Sequence, residues 1–209
     1  MAQKEGLHIA KNNHFNKCGV EVLRVPLPVG DYIVSNEKVV DVIERKAKRN
    51  VDLKKMDFIG TYKVSIDSKF DIQELISDIC GKSHNRFRDE CILAQNNGIK
   101  LYILVENKGG LITGTKDIYN KTVYSIDDLF SWKNPRLFIM KNSSEIIGHT
   151  KSGYPRYRKV QKYPTATKGA SLAKACLTMQ DKYECEFLFC TPEESGERIL
   201  QLLGVNVDG

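Results

Sequence analysis

The sequence predicts an α/β domain, a sheet flanked by helices. Three observations carry that expectation. Residues 101–105 (LYILV) are an unbroken apolar run bounded by turn residues, which suits a buried parallel strand. Ile72, Leu75, Ile76 and Ile79 recur at helical spacing upstream of it. Helix and strand patterns then alternate, the arrangement that builds a sheet with helices across its faces. At 209 residues the chain suffices for one substantial core, or for one domain with an appendage.

From the N-terminus, residues 7–18 read as a short helix with Leu7, Ala10 and Phe15 turned inward, ended by Gly19. Residues 20–27 alternate and are rich in valine, which predicts a strand. A hairpin follows, with arms at 29–34 and 38–46 and a turn at Ser35, Asn36 and Glu37. Residues 47–70 carry six Lys or Arg against three Asp and read as an insertion, either a nucleic-acid-contacting loop or a solvated hairpin. Asp71 caps a helix over 72–80. After a loop at 81–85, residues 86–96 form a second helix with Phe87, Cys91, Leu93 and Ala94 toward the core.

Beyond the strand at 101–105, residues 107–121 are a Gly- and Lys-rich loop. Ser125 to Asp128 form a capping box that opens a helix carrying Leu129, Phe130 and Trp132. Residues 137–140 read as a short strand. Residues 149–174 hold seven Lys or Arg, no acid, and three tyrosines, Tyr154, Tyr157 and Tyr163. Pro155, Pro164, Gly153 and Gly169 argue against regular structure before about residue 169. A helix over 170–183, a strand at 187–190 and a last helix with Ile199, Leu202 and Leu203 inward close the chain. The domain organisation is thus a core over 1–148, with 47–70 inserted, and a basic stretch plus helix-strand-helix over 149–209 packed on the same domain.

The formal net charge of +6 and the pI near 8.9 favour an anionic partner. No apolar run approaches a membrane span, and residues 1–5 lack a signal-peptide core, so a cytoplasmic protein is expected. The six cysteines form no Cys-x-x-Cys pair and no zinc spacing, and read as small buried hydrophobes. Asn107-Lys108-Gly109-Gly110 lacks the Walker spacing, and His84 reads as polar surface.

The chemistry concentrates in residues 30–46. If 38–46 is a strand, Glu44 and Lys46 share a face, and Asp31 reaches it across the hairpin. Two carboxylates and a lysine at a strand end suit metal-assisted phosphodiester cleavage, with Asp31 and Glu44 holding Mg²⁺ or Mn²⁺ and Lys46 stabilising charge. Gly30-Asp31, a gap, then Glu44-Arg45-Lys46 resembles the signature of the XPF-type branch of the PD-(D/E)XK nucleases, and Leu27-Pro28-Val29 fits its entry.

The resemblance implies a restriction-endonuclease-like central mixed sheet flanked by helices. It also implies metal-dependent cleavage of DNA, branched or flapped, with Gly30, Arg45 and a helix-opening Asp71 in support. A catalytically weakened relative that binds DNA or a partner protein without cutting is the alternative. Members of this branch often dimerise, with themselves or a related subunit. The family's first strand, with its Asp-x-Arg-Glu, is expected to be missing, since residues 1–19 hold one acid, Glu5. The compact form resembles nucleases of bacteria and phages. Arg86 and Arg88 at a helix start suit phosphate. Arg156, Tyr157, Arg158, Lys159 and Lys162 form the expected DNA-binding patch outside the active site.

Overall fold

The computed structural model describes residues 9–205; Leu7 and Glu5 lie outside them. In chain order the elements are α1 (Ile9–Lys17), α2 (Glu37–Lys48), β1 (Val64–Lys69), α3 (Ile72–Cys80), α4 (His84–Asn96), β2 (Lys100–Glu106) and the short pair β3 (Gly110–Leu111) and β4 (Tyr119–Asn120). Then come α5 (Ile126–Ser131), β5 (Met140–His149), β6 (Pro155–Gln161), α6 (Gly169–Tyr183), β7 (Glu186–Cys190) and α7 (Ser195–Leu202).

The α/β expectation holds. β1, β2 and β7 form a parallel sheet with β2 in the middle, in register Val64 to Lys100 and Tyr102 to Glu186. Alternation along the strands sends Leu101, Ile103, Val105, Phe187 and Phe189 into the larger core, with side chains of α3, α4 and α6. Ile66 and Leu104 meet Phe15 of α1 and Ile199 and Leu200 of α7 on the other face. Helices on both faces explain why β2 reads as a continuous apolar run. The caps at Asp71, which accepts from Glu74 N at 2.7 Å, and at Ser125 are where the sequence puts them. No helix among the described residues is long and apolar enough to cross a membrane.

Several expectations are corrected. Residues 20–27 form no strand. On α1 the buried side chains are Lys11 and Phe15, while Ala10 is exposed. The segment 38–46 is helical, not the arm of a hairpin. Asn36 caps α2 by accepting from Val39 N at 3.1 Å, Glu37 lies in its first turn, and Arg45, Lys46 and Lys48 in its last. Val39 and Val42 are buried at helical spacing, and the β-branched residues misled the strand reading. Residues 47–70 are not wholly an insertion, because Val64–Lys69 within them form β1.

The sheet of named strands is parallel rather than mixed, with one isolated antiparallel bridge, Tyr32 to Ile66. In place of a strand at 137–140 there is a 3-10 turn, Pro135–Phe138, ahead of β5. The stretch before residue 169 is not irregular: β5 and β6 form a two-stranded antiparallel ribbon with nearly every residue exposed.

Candidate active site

The placement of Asp31 begins two residues earlier. Val29 is fully buried. Its carbonyl accepts from Ser65 Oγ at 2.8 Å and Tyr62 Oη at 3.0 Å. Gly30 then turns at φ +70°, and its N–H donates to Glu90 Oε1 at 2.7 Å. A Cβ at this position would collide with Ser65 Oγ and sit 3.0 Å from the Ile66 carbonyl, so both conformation and space demand glycine. Asp31 N and Tyr32 N both donate to Ile66 O, at 2.7 and 3.0 Å. Asp31 is thereby fixed at the edge of β1, where its Oδ2 accepts from Ser68 N at 3.0 Å.

Asp67 and Lys69 flank Ser68 on the same strand and share one face of it. Both are buried, at 5% and 4% exposure. Lys69 Nζ lies 2.6 Å from Asp67 Oδ2 and 2.6 Å from Asp78 Oδ2 of α3, and 5.0 Å from the centre of the Phe87 ring. Neither carboxylate oxygen has a well-formed hydrogen bond, so the ammonium alone meets them. Burial pushes the Asp67 carboxyl up to about 7; Lys69 opposes this, and the carboxylates of Asp31 and Glu90 add to it. For Lys69, burial disfavours the cation, but Asp67 and Asp78 outweigh it and its pKa moves up.

Ser68 points to the opposite face. Its hydroxyl accepts from Lys11 Nζ at 2.9 Å, and Lys11 is ion-paired with Glu106 at the end of β2. Burial raises the Glu106 carboxyl, with Lys11 working against it. Charged side chains therefore gather on both faces at the carboxyl ends of β1 and β2, the end of a parallel sheet where ligands bind.

The structure does not bring Glu44 and Lys46 to this place. Two residues apart on a helix, they point about 200° apart. Glu44 is exposed and pairs with Lys48 at 3.4 Å; Lys46 pairs with Asp57 at 2.8 Å. Arg45 is exposed. Asp71 caps α3 by accepting from Glu74 N. Arg86 lies 3.6 Å from Asp78, on the rim of the Lys69 cluster, while Arg88 pairs with its neighbour Asp89 at 2.8 Å. Arg156, Tyr157, Arg158 and Lys159 lie on β6, and strand alternation splits them between two faces. Arg158 is paired with Glu145 at 2.9 Å, and Lys162 lies just past the strand, 5.2 Å from the Tyr163 ring. His84 is half-buried at the start of α4, its Nδ1 shielded and without a hydrogen bond.

The residues that the sequence reading passed over are Asp67, Lys69, Asp78, Lys11 and Glu106. The first two carry a readable signal. Val64-Ser65-Ile66-Asp67-Ser68-Lys69 alternates, and Asp67-x-Lys69 has the same spacing as Glu44-x-Lys46.

Among the described residues, no three Asp, Glu, His or Cys side chains come together as ligands for one ion. Asp67 offers a buried carboxylate whose Oδ2 meets the Lys69 ammonium at 2.6 Å, and the Asp31 carboxylate acts on it to raise its pKa. Mg²⁺ is commonly bound through one or two carboxylates and otherwise by water and phosphate oxygens. No protein-family model matches the chain, and neither the curated proteins nor the solved structures provide a match.

Proposed function

We propose that the chain is a metal-dependent DNA endonuclease with a restriction-endonuclease-like core, and that Asp31, Asp67 and Lys69 do the work first assigned to Asp31, Glu44 and Lys46. One observation carries this reading. Asp67 and Lys69 share a face at the carboxyl end of a parallel strand, with Asp31 hydrogen-bonded to the residue between them. Asp31 and Asp67 would hold Mg²⁺ or Mn²⁺, which when bound supplies a Lewis acid for the phosphate and acidifies a water. Asp67 must be ionised to act as a ligand, and Lys69 favours that form. The Lys69 ammonium also stabilises negative charge gathering on a phosphate at the same place. Ser68 orients Asp31 through its N–H, and Lys11 and Glu106 hold the Ser68 side chain from behind. Arg86 and the basic ribbon serve the nucleic acid, which we take to be branched or flapped DNA.

A specific observation favours the second reading, a relative that binds DNA without cutting: Lys69 is engaged by two carboxylates at once, and no third acidic ligand joins Asp31 and Asp67 among the described residues.

Labelled duplex, flap and fork DNA, incubated with Mg²⁺, Mn²⁺ or EDTA, separates the two. The parent should cut only with metal. Asp31→Asn and Asp67→Asn should lose cleavage and keep DNA affinity, whereas Glu44→Gln should cut like the parent. A parent that cuts nothing with either metal establishes the binding-only reading. Cleavage by Asp67→Asn at the parental rate would move the site elsewhere.

A further inference from the structure

The β5–β6 ribbon is the largest feature that this chemistry leaves without a defined task. It has ten residues in one strand and seven in the other. A lone two-stranded ribbon is marginal in water because it buries little. This one has its own cross-strand pairs, nearly every residue of it is exposed, and it presents Ile146 (53%), Ile147 (54%) and Tyr154 (70%) to solvent. Across it Lys141, Lys151, Arg156, Arg158 and Lys159 stand against a single acid, Glu145. Cationic and apolar groups are thus presented together, and of these cations Arg158 is held by Glu145 at 2.9 Å.

The register sorts these side chains. Gly148 faces Arg156 and Lys141 faces Val160, so Lys141, Arg156 and Arg158 line one face of the ribbon. Ile146 faces Tyr157 and Asn142 faces Lys159, so Tyr157 and Lys159 line the other. A row of two arginines and a lysine suits guanine O6 and N7, which accept from such donors in the major groove, where thymine methyls also offer apolar contact. Dimensions agree: the major groove admits a two-stranded ribbon. Seven residues at ~3.3 Å each follow it for roughly 23 Å, about seven base pairs.

The base of the ribbon is tied to the active-site end of the sheet. Asn134 is almost wholly buried. Its Oδ1 accepts from Gln73 Nε2 at 2.9 Å and from Arg136 N at 3.0 Å, and its Nδ2 donates to Thr167 O at 2.8 Å. Asn134 precedes the ribbon and Thr167 follows it. Both legs therefore meet at Asn134, which is bonded in turn to Gln73 in the first turn of α3, just beyond Lys69.

We propose that the β5–β6 ribbon enters the major groove of duplex DNA and holds a double-stranded arm beside Asp31, Asp67 and Lys69. Groove binding stands by itself; only the claim that this arm belongs to a cleaved substrate rests on the nuclease reading.

Methylation by dimethyl sulfate reads guanine N7 in the major groove and adenine N3 in the minor groove. The parent protein, in EDTA so that cleavage plays no part, should protect guanine N7 over about seven contiguous base pairs of a labelled duplex and leave adenine N3 reactive. The combined Lys141→Ala, Arg156→Ala and Arg158→Ala variant should keep its melting temperature and lose that protection. It should bind duplex more than about tenfold more weakly and lose its preference for guanine-containing sites. Parental affinity in the triple variant, N3 protection without N7 protection, or tighter binding of the matching single strand than of the duplex overturns the proposal. N7 protection by a protein that never cuts removes the nuclease reading and keeps the ribbon; cleavage without N7 protection does the reverse.

Discussion

Lys69→Met would leave Asp67 and Asp78, each 2.6 Å from the Lys69 ammonium, without their shared cation in buried surroundings. The aliphatic stem is largely preserved, so the loss is electrostatic. Removing one partner of a buried pair costs about 3–5 kcal/mol. Because one cation here serves two carboxylates, a value near the upper end, about 5 kcal/mol, is expected at alkaline pH. The variant can relieve this cost by taking up a proton, and the sign follows. A carboxyl whose folded pKa is raised contributes stability that is present below its unfolded value of about 3.9 and lost as pH rises through the folded value. Asp67 already titrates at about 7 with Lys69 in place, and losing Lys69 moves it higher. Below about pH 7 both proteins carry the Asp67 proton and the penalty is at its smallest. Above that value the parent sheds it first, and the gap widens by about 1.4 kcal/mol per pH unit, or about 2 kcal/mol between pH ~7 and pH ~8.5. Urea unfolding of parent and variant at about pH 5.5, 7 and 8.5 measures this directly. A loss below about 1 kcal/mol that does not vary with pH would mean that Lys69 is solvated, and the account of the site would fail.

Two further outcomes are expected. Gly30→Ala forces a side chain into a positive-φ turn against Ser65 Oγ, and should cost about 1–3 kcal/mol and cleavage together, since Asp31 shifts with it; normal activity with normal melting would show that the turn is not needed. Asp71→Ala removes the cap on Glu74 N and should lower stability by about 1 kcal/mol in thermal unfolding while cleavage persists, whereas an inactive but stable variant would return Asp71 to the site.

β2 and α3 were legible because a single local signal decides each: an apolar run with turns on both sides, and helical spacing behind a capping aspartate. α2 was not, because its pairs Val39-Val40 and Val42-Ile43 carry strand preference while Asn36 and the charges at its ends carry the helix. Gly30-Asp31 was readable because a left-handed turn leaves a mark in sequence. The partner of Asp31 was misassigned because Asp67 and Lys69 sit in a stretch whose charge suggested solvent. Their burial depends on Asp78, which arrives from another element and neutralises Lys69 from across the sheet face. Mutual neutralisation of this kind is a tertiary property with no local pattern. The ribbon was missed for the opposite reason: its prolines and glycines look irregular, and no buried face gives it a period.

The Asn134 side chain holds the entering and leaving legs of the ribbon at one point and accepts from Gln73 there. In mechanical terms Asn134 is one of the anchors of a lever, beside the tie of Gln161 to the Leu137 carbonyl. A sideways load at its tip, near Gly153, has through that anchor a direct route into the first turn of α3, just beyond Lys69.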